Sequence, residues 1–216
     1  MKILNEIVLF NKGNIKSQIT PQLDIIHKSI KSVTNSGNKF ILYNGYSPKS
    51  KRYLKHQNGV KPIKNNCINY LTQNNWKAEV TLDLGNTMKR PGPVDVVSPK
   101  IKNTNLPANG QIGLEWETGN ISSSHRSLNR LTLGILHKKL AGGILLLPSR
   151  KMYDYLTDRI GNYEELEPYF PIWKLIGDSP QISSGYLSVI EFEYDELSND
   201  INYKIPKGND GRSHNN

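Results

Sequence analysis

The run "GGILLLP", Gly142 to Pro148, most constrains what this chain can become. A strand with no polar alternate position is the kind buried on both faces, so it needs a layer above and a layer below. Ahead of it, Ile112 to Glu117 reads as a second strand, broken by "TGN". Asn120 or Ser122 can then cap a helix reaching to about Leu140. That helix carries Leu128, Leu131, Ile135 and Leu136 at helical spacing, and Gly142 and Gly143 are expected to end it. Val94 to Val97 is a short strand between prolines, and a further strand is expected near Tyr186 to Tyr194. Helical segments are expected around Met152–Thr157 and Tyr163–Tyr169, with another beginning near Pro62, since proline suits a first helical turn. Residues 34–65 read as loops or short hairpins, and residues 1–35 as loosely amphipathic helix. The alternation predicts an α/β fold with a central mixed β-sheet flanked by helices on both faces. With 216 residues, one domain spanning 1–216 is the simplest organisation, with a polar, Gly-rich arm at about 204–216.

Charge narrows the partners. The formal net charge is +9 and it is unevenly spread. Residues 1–75 hold twelve Lys/Arg against only Glu6 and Asp24, whereas residues 151–200 are strongly acidic. A basic half points to a polyanion, nucleic acid first and a membrane surface second. Cys67 is the single cysteine, which excludes a disulfide framework and a cysteine-rich zinc site within the chain. The longest apolar run is too short to span a bilayer, and Glu6 interrupts the apolar start, so no signal peptide is evident. A soluble intracellular protein is expected.

In "GLEWETGN", Glu115 and Glu117 alternate with Leu114 and Trp116. In a strand the two glutamates share one face, with Cα atoms roughly 6–7 Å apart. Carboxylates this close repel, so a positive group or water must accompany them. Asp95, in "PVDV" twenty residues upstream, can join them from an adjacent strand. Oxygen ligands converging at one spot suit a hard divalent cation, Mg²⁺ above all. Such an ion polarises a phosphoryl oxygen and activates water. Glu79, in "NNWKAEV", is a possible fourth carboxylate, and Glu117 is a candidate general base. A pair of glutamates around one strand residue is more often just a solvated face, so this motif alone is weak.

The next residues add recognition chemistry. Arg126 sits in the first turns of its helix, where the dipole disfavours a cation. Asn120, Ser122 and Arg126 gather amide, hydroxyl and guanidinium near one helix end, which also attracts phosphate. Such groups read base edges, Asn pairing with adenine and Arg with guanine. Asp158 and Arg159 offer the same logic, against the bland reading of a surface ion pair.

From "GLEWETGNISSSHRSLNRLTLGILHKK" through "YLTDRIGNYEELEPYF", about Ile112 to Phe170, the chain closely resembles the BamHI-like type II restriction endonucleases of the PD-(D/E)XK nuclease superfamily. The likeness is traceable through "NGVKPIK", "NNWKAE" and "RPGPVDV" and returns in "IPKGNDG"; residues 1–50 and about 174–200 fall outside it. The resemblance implies a restriction-endonuclease-like fold, Mg²⁺-dependent hydrolysis of double-stranded DNA at a palindromic site, GGATCC, and a homodimer acting in the bacterial cytoplasm with no membrane partner. It assigns Asp95 and Glu115 as central metal ligands, Glu79 to a second metal position and the Trp116 carbonyl as a further contact. Glu117, where the superfamily usually has Lys, becomes the base. Asn120, Ser122, Arg126, Asp158 and Arg159 match major-groove positions, Lys64 a lysine of the DNA cleft, and Asp210 and Gly211 the arm that reaches DNA. Arg212 departs from the pattern, which has Met. The face of Leu128, Leu131 and Ile135 fits the helical dimer contact, or ordinary core packing. The rival readings are a sequence-specific DNA-binding protein without catalysis, a structure-selective nuclease of the same fold and, more remotely, a sugar-acting enzyme.

Overall fold

The computed structural model describes residues 1–84, 92–157 and 160–207. In chain order the elements are β1 (Lys2–Lys12), α1 (Lys16–Lys31), β2 (Ile41–Tyr43), β3 (Tyr46–Ser47), β4 (Arg52–Tyr53), α2 (Lys61–Gln73), β5 (Lys77–Val80), β6 (Val94–Val97), β7 (Ile112–Trp116), α3 (Ile121–Leu136), β8 (Gly142–Pro148), α4 (Arg150–Tyr153), α5 (Tyr163–Leu166), α6 (Phe170–Gly177), β9 (Gly185–Glu193) and β10 (Glu196–Ser198). Six strands form one sheet in the order β1-β9-β8-β7-β6-β5. The central three, β7, β8 and β9, run parallel; β1 pairs antiparallel with β9 and β6 with β7, and β5 pairs antiparallel with β6 at the far edge. The mixed α/β sheet expected from the sequence is present.

β8 shows why the apolar run demands this architecture. All seven of its residues are buried. Ile144 and Leu146 pack into one core with Ile19, Ile26 and Ile30 of α1 and Ile63, Cys67 and Leu71 of α2. Leu145 and Leu147 turn the other way, into a core with Leu128 and Leu131 of α3 and Phe170 and Trp173 of α6. Alternate side chains of one strand therefore feed two layers of helices.

Three expectations need correction. Residues 1–35 are not one helix, because their first third is strand β1. The polar interruption at Asn5 and Glu6 hid it, yet Glu6 is satisfied within the fold by His27 Nε2 at 2.9 Å and by the Tyr186 hydroxyl at 2.9 Å. Gly142 and Gly143 do not end α3. They open β8, where a Cβ on Gly143 would stand 2.7 Å from Leu131 Cβ, so glycine lets α3 lie close on the sheet. Finally, Leu128, Leu131 and Ile135 are at most 2% exposed and belong to the chain's own core, so they cannot form a dimer face.

Candidate active site

The parallel strands β7, β8 and β9 end on the same side of the sheet, and the candidate residues follow those ends. Asn120 leaves β7 as the N-cap of α3, its side chain accepting from the Ser123 amide at 3.3 Å. Ser122 and Arg126 follow one turn apart, and all three are exposed at the helix start. Among the described residues, Arg126 makes a long 3.4 Å contact with Ser123 Oγ. The chain beyond β8 returns to the same place. Gly161 donates its amide to Gly119 O at 2.7 Å, and a Cβ there would lie 2.3 Å from Ser124 Oγ. Asp158 and Arg159 lie outside the described residues, as do Asp210, Gly211 and Arg212.

Behind these exposed groups lies the carboxylate pair. Val96 pairs with Leu114, so continuing the register by one step sets Asp95 beside Glu115. Asp95 Oδ2 accepts the Trp116 amide at 2.8 Å, and Oδ1 receives Lys64 Nζ at 2.6 Å. Lys64 sits in the first turn of α2, where the helix dipole disfavours a cation, and Asp95 compensates. Glu115 is 2% exposed and pairs with Arg130 Nη1 of α3 at 2.6 Å. Burial first, then the charge of Asp95, pushes the Glu115 carboxyl up to about 8, against the pull of Arg130 and Lys64. The positive groups demanded by the paired carboxylates are thus Lys64 and Arg130.

Glu115 and Glu117 do share a face, for both reach α3. Glu117 Oε1 accepts the amides of Thr118, at 2.9 Å, and Gly119, at 2.5 Å, while Oε2 accepts the Ser127 hydroxyl at 3.0 Å. These donors turn it toward the start of α3. Glu79 is exposed on edge strand β5. The pairs Ala78–Val96 and Val80–Val94 bracket it opposite Asp95. Its φ of +52° lies in the left-handed region, uncommon for a side-chain-bearing residue. Among the described residues, no three His, Cys, Asp or Glu groups assemble into a metal-holding cluster. Asp95 and Glu115 come together, whereas Glu79 and Glu117 are not drawn into one group with them. Two carboxylates suffice for Mg²⁺ chemistry, since that ion keeps several waters and takes the rest of its shell from substrate phosphate. The oxygen-only donor set and the close Asp95–Glu115 pair, its glutamate buried, fit such an ion.

Comparison with known proteins fixes the family. The family model "Restriction endonuclease BamHI" matches residues 1–212. The chain is 41% identical to the type II restriction enzyme OkrAI of Oceanobacter kriegii over 215 residues, 99% of each chain. It is 43% identical to the type II restriction enzyme BamHI of Bacillus amyloliquefaciens over 161 residues, 74% of this chain and 70% of that one. The chain belongs to the BamHI family. It is accordingly a type II restriction endonuclease, a site-specific deoxyribonuclease. The fold is similar to that of the restriction endonuclease BglII solved in complex with a DNA 16-mer, with TM-score 0.58 at 14% identity over 90% of this chain and 79% of the other. The BamHI-family match also runs through residues 1–50 and 174–200, where the sequence reading found no likeness.

Two residues that brace the segments around the candidate site were not singled out from the sequence. Arg130 gave a faint signal, lying one turn beyond Arg126 on the helix that follows the paired glutamates. Asn58 gave none. It is fully buried, donating Nδ2 to Tyr43 O at 2.8 Å and Tyr155 O at 2.9 Å, while its Oδ1 accepts the Ile205 amide at 3.3 Å. It ties together the segments leading to residues 158–159 and to the chain end beyond 207. No helix among the described residues is long and apolar enough to cross a membrane.

Proposed function

We propose that this endonuclease is a Mg²⁺-dependent homodimer cutting both strands of GGATCC in the cytoplasm, as one catalytic domain with a C-terminal arm. The observation that carries the metal reading is the Asp95–Glu115 pair, a buried carboxylate held beside another with oxygen-only donors. Type II restriction endonucleases generally depend on a divalent metal. Asp95 and Glu115 would hold the ion, with Glu79 and the Trp116 carbonyl alongside. The amide of Trp116 faces Asp95, and in an extended strand the carbonyl of a residue points to the same neighbour as its amide. Bound there, the ion would polarise a phosphoryl oxygen. Lys64 stands at hydrogen-bond distance from Asp95, where it can meet the scissile phosphate, and Glu117 takes the proton of the attacking water.

Asn120, Ser122, Arg126, Asp158 and Arg159 would read base edges in the major groove, with Asp210 and Gly211 reaching DNA from the arm. The residue types at the major-groove positions support GGATCC. Digestion of a DNA of known sequence with and without Mg²⁺, followed by end mapping, tests the proposal. The expected result is discrete cutting at one hexanucleotide only with the ion. Cleavage without Mg²⁺, or ends scattered over many sequences, would remove it. In the same assay Glu117→Ala is expected to bind the site but lose cutting by two orders of magnitude or more, about the contribution of a positioned base. Normal cutting would take the base role from Glu117.

The dimer reading moves to a different surface from the one the sequence suggested. Ile172 and Leu175, one turn apart on the outside of α6, are 52% and 71% exposed, and Tyr169 ahead of them is 45% exposed. Apolar side chains grouped on one outward helix face mark an association surface. α6 is braced on α3 by Trp173 Nε1, which donates to Asn129 Oδ1 at 3.2 Å, and by the His125–Tyr169 ring contact at 4.6 Å. The dimer face would thus sit on a helix braced directly against α3, the helix that carries the base readers, so that the readers of two copies keep a fixed spacing, as two-fold reading of a palindrome requires. Leu175→Asp is expected to yield monomers at micromolar concentration in sedimentation equilibrium, with unchanged far-ultraviolet circular dichroism. A stable dimer in that variant would exclude α6 as the contact.

A further inference from the structure

The β3–β4 hairpin is unused by the site described above. Tyr46 and Ser47 pair with Tyr53 and Arg52, and the turn between them is exposed. It presents Lys49, Lys51 and Arg52, with Lys55 just past its end, all exposed. Of these four, Lys55 alone meets a carboxylate among the described residues, Asp154 at 3.2 Å. This charge is no accident of a mixed surface. From residue 25 to residue 78 the chain has ten Lys/Arg and no Asp or Glu. Concentrating like charge on one narrow hairpin costs self-repulsion, which a polyanion relieves.

The hairpin is also anchored and stiffened. The Leu54 amide donates to Gly45 O at 2.8 Å and closes its base. The rings of Tyr46 and Tyr53 lean together with centroids 5.3 Å apart, and Tyr53 still leaves 65% of its surface to solvent. An exposed tyrosine hydroxyl can donate to a phosphate oxygen. From the base, the chain runs along the segment that follows α4. The His56 amide donates to Asp154 O at 2.9 Å, the Asn58 amide to Tyr155 O at 2.9 Å, and the Thr157 amide to Asn58 O at 2.5 Å. The hairpin thus springs from a ladder that ends one residue before Asp158. Asp154 precedes Asp158 by four residues, which can span at most about 14 Å. A six-base-pair site is about 20 Å long. A hairpin rooted within that reach of the proposed base reader lies close enough to meet the phosphate backbone at the end of such a site.

We propose that the β3–β4 hairpin is a second DNA contact, gripping the phosphate backbone of the duplex flanking the recognition site through Lys49, Lys51, Arg52 and Tyr53. This rests on the endonuclease reading. The contact reads no bases, so it adds affinity and salt dependence without specificity.

The test compares full-length wild type with the triple variant K49Q/K51Q/R52Q on two duplexes holding the cleaved site, one with 3 and one with 15 flanking base pairs at each end. Binding is measured without divalent metal across a salt series. The wild type should bind the long duplex more tightly, and the triple variant should lose most of that gain. Its slope of log Kd against log salt should fall by about 0.9 for each phosphate contact removed. Binding of the short duplex and the position of cleavage should stay as they are. The charge-keeping variant K49R/K51R/R52K should retain the wild-type slope, and loss of slope there would make the effect structural and overturn the proposal. An unchanged slope and flank dependence in the triple variant, with site cleavage intact, overturns the hairpin contact alone. A wild type that binds neither duplex overturns the endonuclease reading as well.

Discussion

Glu115→Gln will make the protein more stable and unable to cut. The Glu115 carboxyl is buried and sits near about 8 instead of its ordinary 4.5. A folded-state value above the unfolded one means that the native state binds the proton more tightly. Between these two values stability therefore falls as pH rises, and the cost is fully developed above the folded value. At pH 7 it amounts to about 3 kcal/mol, of which burial is the largest source. Glutamine keeps the shape and can still accept from Arg130, but offers the unfolded chain no ionisation to gain. In chelator, the variant should melt several degrees higher than wild type at pH 8, with the difference shrinking toward zero near pH 4.5. Its cleavage rate with Mg²⁺ should drop on the order of a thousandfold, as expected when a metal-holding oxygen worth several kcal/mol in the transition state is replaced. A variant that melts lower at pH 8, or that still cuts within tenfold of wild type, would refute the assignment. The trade runs in the direction seen when a site holds charges together for chemistry at the expense of stability.

How much of this was legible depended on how far each residue's partner lies along the chain. β7, β8 and α3 were readable because their signals are local: alternation at 112–116, an uninterrupted apolar run at 142–148, and Asn120 three residues ahead of the amide it caps. The face shared by Glu115 and Glu117 followed from strand geometry alone. β1 was not readable, since the partners that make Glu6 acceptable inside a strand are His27 and Tyr186, 21 and 180 residues away. Repulsion between carboxylates required a cation without saying which. Lys64 is 31 residues from Asp95, and only the placement of α2 against the sheet brings it there. The apolar stripe of α3 was ambiguous for a related reason. Leucine at helical spacing says that a face is covered, and only the sheet beneath it shows that the cover is the chain's own. The quiet residues, Asn58, Gly59 and Gly161, act through backbone contacts with remote segments, for which a single sequence carries no periodic signal.

Gly59→Ala is the second large effect to expect, and it separates arm from body. The Gly59 amide donates to Ile205 O at 2.9 Å, so residues 205–207 run alongside it. A Cβ at Gly59 would stand 2.1 Å from Pro206 O, 2.9 Å from its carbonyl carbon and 3.1 Å from Lys207 Cα. All three are backbone atoms, and no rotamer change relieves a clash with backbone. Something must move, and the choice is unequal. Asn58 and Val60 on either side are buried, whereas Pro206 and Lys207 are exposed, so the C-terminal segment yields at small cost to the core. Melting should then change by no more than about 1 kcal/mol in stability, the range for a change that leaves core packing intact. Trypsin should cut after Lys204 and Lys207 markedly faster. If Asp210 and Gly211 contact the site as proposed, the preference for that site over random duplex should fall by ten- to a hundredfold, equivalent to about 1–3 kcal/mol per base pair whose contact is lost. Non-specific affinity should stay where it is, because Gly59 carries no charge. If proteolysis accelerates while site preference holds, the arm contributes nothing to recognition. If neither changes, the segment accommodates the methyl group and the close approach is not needed to hold it.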